Sequence, residues 1–243
     1  MRRWIWIALL LPALVLVVSG CLGFKAMPGS GDVAEETREV SDFTEVELAT
    51  VGMLYIELGE RASLRIEADD NLLRYLETEV RGNTLKIESR DRVSLLPREP
   101  IYYYLTVTDL EEVVLSGLGG IEISGALDVP KLSIRISGGG SIEVEDLAAN
   151  RFDVEITGLG DLYVDEGQVV AQDVLISGGG NYRARGLESD RAEIRVTGLG
   201  SATVWVREEL DVTISGGGSV RYIGSPSVSQ NVSGLGRVEQ IRE

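Results

Sequence analysis

A four-residue phrase, Ser or Thr, then Gly, then Leu or Gly, then Gly, occurs seven times between residues 116 and 236 of this chain. It starts at Ser116, Ser137, Thr157, Ser177, Thr197, Ser215 and Ser233, in steps of 21, 20, 20, 20, 18 and 18 residues. Its second and fourth positions are Gly117 and Gly119, Gly138 and Gly140, Gly158 and Gly160, Gly178 and Gly180, Gly198 and Gly200, Gly216 and Gly218, and Gly234 and Gly236. The third position alternates Leu and Gly without exception. A fixed period of this length marks a repeat architecture in which each unit buries its apolar face only against its neighbours.

The flanks say what each unit is. Counting the Ser or Thr as zero, positions −3, −1, +5 and +7 are apolar in 26 of 28 cases, with Tyr counted as apolar. The two exceptions, Gln230 and Gln240, both belong to the last repeat. Between these positions, at −2 and +6, stand mostly polar residues such as Arg135, Glu155, Arg195, Glu143, Arg183 and Arg221. Period two on both sides of a glycine corner reads as strand, turn, strand. The expected fold is all-β: a right-handed, single-stranded parallel β-helix with repeats of about 20 residues, its coils ~4.8 Å apart. The glycines are structural turn residues, placed where the corner needs a positive φ or where a Cβ would clash with another coil. A Leu in the middle slot can spread over the glycine of the adjacent coil. Whether one repeat or two make a full turn stays open at this level.

The same glycines fit no phosphate or calcium motif. No G-x-G-x-x-G or Gly-Lys-Ser/Thr occurs among them, and only Asp161 fills the slot after the phrase. The chain has no His and a single Cys, which excludes His-based triads, imidazole ligands, an intrachain disulfide and thiolate zinc. A net charge of −16 argues against a nucleic-acid partner. No cofactor or metal is expected.

The single cysteine has an address. Arg2 and Arg3 precede the apolar run Trp4 to Val18, which leads into Val18-Ser19-Gly20-Cys21. The run has the length of a signal peptide's apolar region rather than of a membrane span. The four residues at its end resemble a bacterial lipobox, which implies cleavage after residue 20 and lipidation of Cys21. Residues 1–20 carry two arginines and no acids, so the remainder has a charge of −18. It would repel anionic head groups, leaving the acyl chains to anchor it in the membrane of the cell envelope. Residues 21–37 are read as the lipidated Cys and a flexible tether, and 38–243 as the folded domain.

Residues 38–112 lack the repeat but keep the alternation, as in Phe43–Leu48, Leu54–Leu58, Leu64–Ala68, Leu85–Ser89 and Tyr102–Val107. They are read as a β-rich N-terminal part that covers one end of the regular repeats at 113–243. Residues 71–79 are read as a short helix or a loop plus strand. Arg81-Gly82-Asn83 reads as a hairpin turn. Alternation must expose at least one ring of Tyr102-Tyr103-Tyr104, and Tyr103 is expected to be that ring.

The Gly turns between alternating strands, together with Phe43-Thr-Glu-Val46, Ala68-Asp-Asp-Asn71, Leu85-Lys-Ile87 and the ending Leu210–Gly236, resemble the putative auto-transporter adhesin, head GIN domain family. The resemblance spans about Arg38 to Glu243 and implies an exported β-helical protein of the envelope. It points to a non-catalytic, surface-exposed binding module whose ligand is a glycan or a protein. Two alternatives come with it. One is a polysaccharide-active enzyme, for which Glu122 and Glu143 would stack as an acidic pair on adjacent coils. The other is a structural or sensing envelope protein with contacts through Tyr163, Tyr182, Tyr222 or Trp205. Of these four, Tyr182 and Tyr222 fall on inward positions and read as core. Asp69-Asp70 reads as a capped turn rather than a calcium site.

Overall fold

The computed structural model describes residues 25–90 and 93–242. The fold is nearly all-β, and stacked parallel strands form a β-solenoid of about six turns. The regular part runs through β11 (Leu118–Ile136), β12 (Gly139–Ile156), β13 (Asp161–Ile176), β14 (Asn181–Val196) and β15 (Ser201–Gly216). It closes with β16 (Ser219–Ile223), β17 (Ser227–Gly234) and β18 (Arg237–Gln240). Each pairs in parallel with the segment one repeat away: Ile121 with Ile142, Ile142 with Leu162, Leu162 with Tyr182, Tyr182 with Ala202. One repeat is therefore one turn, and the two-repeat turn is excluded.

The inward columns are buried, from Leu54 through Ile121, Ile142, Leu162, Tyr182 and Ala202 to Val220. Tyr182 sits in this core as expected, its hydroxyl donating to Gln172 Oε1 at 2.9 Å. Tyr222, nearer the open end, is only partly buried.

The glycine corners are set by close approach. A Cβ on Gly138, Gly158, Gly178 or Gly198 would lie 2.0–2.2 Å from the carbonyl oxygen of the corresponding glycine one turn earlier. Such a distance is impossible for real atoms, so backbone stacks directly on backbone there. Of the fourteen predicted turn glycines, only Gly140, Gly216 and Gly234 also have a positive φ. The middle-slot leucines are exposed, and the Cδ2 of Leu118, Leu159 and Leu199 leans over the middle glycine of the next turn.

The N-terminal part builds earlier turns out of chain order. β3 (Glu45–Ala49) and β4 (Val51–Leu58) form a turn beneath β10 (Glu112–Leu115) and β11. Thr50 pairs with the first corner, where a Gly117 Cβ would meet the Thr50 carbonyl oxygen at 2.1 Å. Beneath these strands lie β7 (Thr84–Ser89) and β9 (Tyr102–Val107), again parallel. The stack then ends in antiparallel strands: β5 (Ser63–Asp69) on β9, β2 (Val33–Arg38) on β5, and β6 (Leu76–Arg81) on β7. Antiparallel pairing closes an end whose backbone groups would otherwise template another chain.

Three expectations need correction or choice. Residues 25–37, read as tether, are not free. β1 (Lys25–Pro28) pairs with β8 (Val93–Leu96), and β2 joins the cap. These strands bury little apolar surface, which hid them in the sequence; ladder bonds and one carboxylate hold them. That carboxylate is the buried Asp69, which accepts from the backbone N–H of Gly31 at 2.6 Å and Arg98 at 3.0 Å. Residues 71–79 are loop plus strand, with one 3₁₀ turn at Leu73–Tyr75 before β6. The hairpin turn at Gly82 does form, with Arg81 paired to Thr84. Tyr103 is buried, not exposed, because β9 pairs it with inward Leu54; Tyr102 and Tyr104 face out instead.

Two outcomes follow from this packing. Gly178→Ala puts a methyl onto an unyielding backbone oxygen and should cost roughly 3 kcal/mol or more, the upper end of ordinary overpacking. Gly179→Ala, facing only the flexible end of Leu159 at 3.1 Å, should be close to neutral. Thermal unfolding of the pair would contradict the stacking account if both melt alike. Burial pushes the Asp69 carboxyl up, but the amides of Gly31, Arg98 and Glu99 outweigh it and hold its pKa below the usual range. A lowered folded-state pKa stabilises above the unfolded value and loses that stability as pH falls through the folded one. Melting temperatures taken between about pH 6 and about pH 2 should therefore fall less steeply for Asp69→Asn than for the wild type. Parallel curves would remove Asp69 from the account.

Candidate binding face

Because every turn sits in register, outward positions also form columns. One column crosses the molecule through paired residues. It runs Arg65, Tyr104, Tyr55, Glu122, Glu143, Tyr163, Arg183, Thr203, Arg221 and Glu239. Beside it runs a second column containing Glu67, Tyr102, Met53, Gly120, Ser141, Asp161, Asn181 and Ser201.

At the capped end the two columns gather three half-exposed tyrosines. The Tyr55 and Tyr104 rings stack with centroids 5.5 Å apart and 16° between planes. Tyr102 lies 6.2 and 6.3 Å from them. The Arg65 guanidinium covers the outer face of this stack, 4.0 Å from the Tyr104 centroid, and forms ion pairs with Glu67 and Glu35. Burial first, then the Glu122 carboxylate, holds the Tyr55 phenol above its ordinary pKa, so it remains a neutral hydrogen-bonding group. Alongside runs a groove of about 450 Å³ bordered by Tyr55, Tyr104, Arg65, Glu57, Ser63 and Thr106. Across its floor Ser63 Oγ donates to Thr106 Oγ1 at 3.3 Å, and Thr106 donates to Glu57 Oε1 at 3.2 Å.

The structure brings some sequence candidates together and disposes of others. Glu122 and Glu143 are register neighbours, with Glu122 next to Tyr55. Tyr163 is half-exposed but committed locally: its hydroxyl donates to Asp161 Oδ2 at 3.2 Å, and Arg183 packs over its ring. Asp161 also accepts from the backbone and side chain of Asn181 at 2.9 and 2.7 Å and from Arg183 at 3.0 Å. Its bonding capacity is used within the protein. Asp69 and Asp70 anchor the N-terminal segment, Asp70 accepting from Ser30 Oγ at 2.5 Å. Among the described residues no group of three or more His, Cys, Asp or Glu could hold a metal ion. The turn glycines are corner elements, and Cys21 lies outside the described residues.

The tyrosine cluster escaped sequence reasoning. Parity alone would place Tyr55 outward, between inward Leu54 and Ile56, and Tyr102 and Tyr104 outward beside inward Leu105 and Val107. That β9 returns beside β4, after the cap has been built, is not visible in any local pattern.

Comparisons with known proteins bear on the fold and the family. No curated protein matches the chain. The crystal structure of a putative adhesin from Bacteroides fragilis is 25% identical, with a TM-score of 0.84 over 88% of this chain and all of that one. Two Parabacteroides distasonis structures share the fold, each covering 89% of this chain and 100% of its own. A putative adhesin is 22% identical with a TM-score of 0.73, and a putative lipid binding protein is 23% identical with a TM-score of 0.76. A family model matches residues 42–226, and the chain belongs to the putative auto-transporter adhesin, head GIN domain family.

Proposed function

We propose that this protein is a lipid-anchored binding module of the bacterial cell envelope, adhesin-like and without catalytic chemistry. The observation that carries the reading is the half-exposed tyrosine cluster beside a groove, on a face whose other side chains are mostly polar. Rigid aromatics offer large contact area at low conformational cost, the usual basis of a binding surface. The family description and the Bacteroides fragilis relative point the same way. Lipidation at Cys21 supplies the anchor. Only three residues separate Cys21 from β1, so a chain extended at ~3.6 Å per residue holds the capped end within about 15 Å of the lipidated atom. That short link favours a ligand presented at the membrane surface.

Mass spectrometry of the membrane-extracted chain should find acyl groups on Cys21, and Cys21→Ala should leave the membrane fraction. A Cys21→Ala chain that stays membrane-bound would contradict the anchor. The detergent-purified full chain should retain an envelope or cell-surface ligand without altering it. Release of new reducing ends from any polysaccharide would contradict the non-catalytic reading and turn attention to Glu122 and Glu143.

A further inference from the structure

We propose that the groove beside the tyrosine cluster takes a neutral oligosaccharide; this rests on the reading that the cluster is the ligand-facing part of the molecule. The groove's volume, about 450 Å³, lies within the range of small-ligand sites. Its two sides differ in chemistry. One is formed by the C–H edges of the Tyr55 and Tyr104 rings, whose stacked faces are taken by each other and by Arg65. The other is a chain of Ser63, Thr106 and Glu57. A pyranose has the matching duality, an apolar C–H surface and a rim of hydroxyls that both donate and accept. Thr106 occupies one Glu57 oxygen, and the other is available to accept from a sugar hydroxyl.

Charge selects the kind of sugar. Among the described residues lining the groove Arg65 is the single cation, and its charge is taken by Glu67 and Glu35. Glu57 lines the groove itself and Glu122 is the register neighbour of Tyr55, on a chain of net charge −16. A uronate or sialate would enter against these carboxylates with no free cation to meet it. A neutral sugar meets only hydrogen-bonding partners. A protein ligand would need a far larger apolar contact than this groove offers.

The test uses the full chain in detergent on an array of neutral gluco-, galacto-, manno- and N-acetylhexosamine oligosaccharides, with sialylated and uronate oligosaccharides alongside. The strongest neutral binder is then titrated against variants. Binding is expected to neutral glycans and to be unchanged between about 50 and about 500 mM salt. Tyr104→Ala and the rim variant Glu57→Gln should each weaken it at least about tenfold, while Arg221→Ala, far along the same column, should not. Glu57 is exposed, so Glu57→Gln reads out the site even if Tyr104→Ala fails to fold. Preference for acidic glycans, or neutral binding that neither groove variant moves, overturns the proposal. Cell binding that depends on Tyr104 with no glycan bound also overturns it but leaves the binding-module reading standing. Absence of both glycan and cell binding overturns the two together.

Discussion

At the corner of each turn, a glycine rests with its α-carbon against the carbonyl oxygen of the glycine one turn earlier. The space for a Cβ there is about 2 Å from that oxygen at four successive turns, from Gly138 to Gly198. No side chain can enter, so the corners stack backbone on backbone and every strand leaves its corner in the same register. The columns of buried Ile, Val and Leu follow, and so do the outward columns. Irregularity is expelled from the corners. The 21-residue first repeat loops out its extra residue between Ile123 and Ala126, where Gly125 takes a φ of +79°. The step to the shorter repeats drops residues between Ala184 and Glu188 and regains one between Ser189 and Arg191. Register is restored before the next glycine each time.

The same stacking governs the surface. Residues at equal repeat positions sit one strand spacing apart, and acids do stack in one column, Asp153, Asp173, Glu193 and Asp211, where basic side chains of flanking columns reach them. Arg135 bonds to Glu112 on one side and lies 3.5 Å from Glu155 on the other. Arg195 meets Asp173 at 3.0 Å, and Lys131 meets Asp153 at 2.9 Å. Exposed pairs of this kind contribute little stability individually. Their effect is to pair the basic side chains of this surface locally. Against that background the tyrosine cluster is conspicuous: column geometry brings Tyr55 and Tyr104 from strands 49 positions apart in the chain into ring contact.

Much of the regular solenoid was legible because the repeat writes it seven times over. The parity of Ile134 and Ile136, the polar Arg135 between them and the glycines after them together specify a turn. What was not legible lies where a local rule is relaxed. Thr50 stands at a corner because the turn beneath stops pairing at Glu88 and resumes at Tyr102, so no backbone occupies the space for its Cβ. That degenerate turn was invisible to a search for Gly. β1 and β2 were missed because edge strands held by ladder bonds and Asp69 need no apolar pattern. Tyr103 shares the inward parity of Leu105 and Val107, a local signal that places it in the core. The binding face depends on β9 pairing with β4, a non-local choice made by the cap, which no periodicity in the chain records.

The account stands or falls on one repeat making one turn with backbone in contact at each corner. Spin labels at Glu122→Cys and Glu239→Cys, in a Cys21→Ser background, measure this directly by electron-electron dipolar distance. The two positions share an outward column and lie six turns apart in register. At ~4.8 Å per turn their backbones stand about 29 Å apart. A distance near that value, allowing for label arms, is the predicted result. A distance near half of it, about 14 Å, would mean two repeats per turn and would contradict the glycine-stacked solenoid.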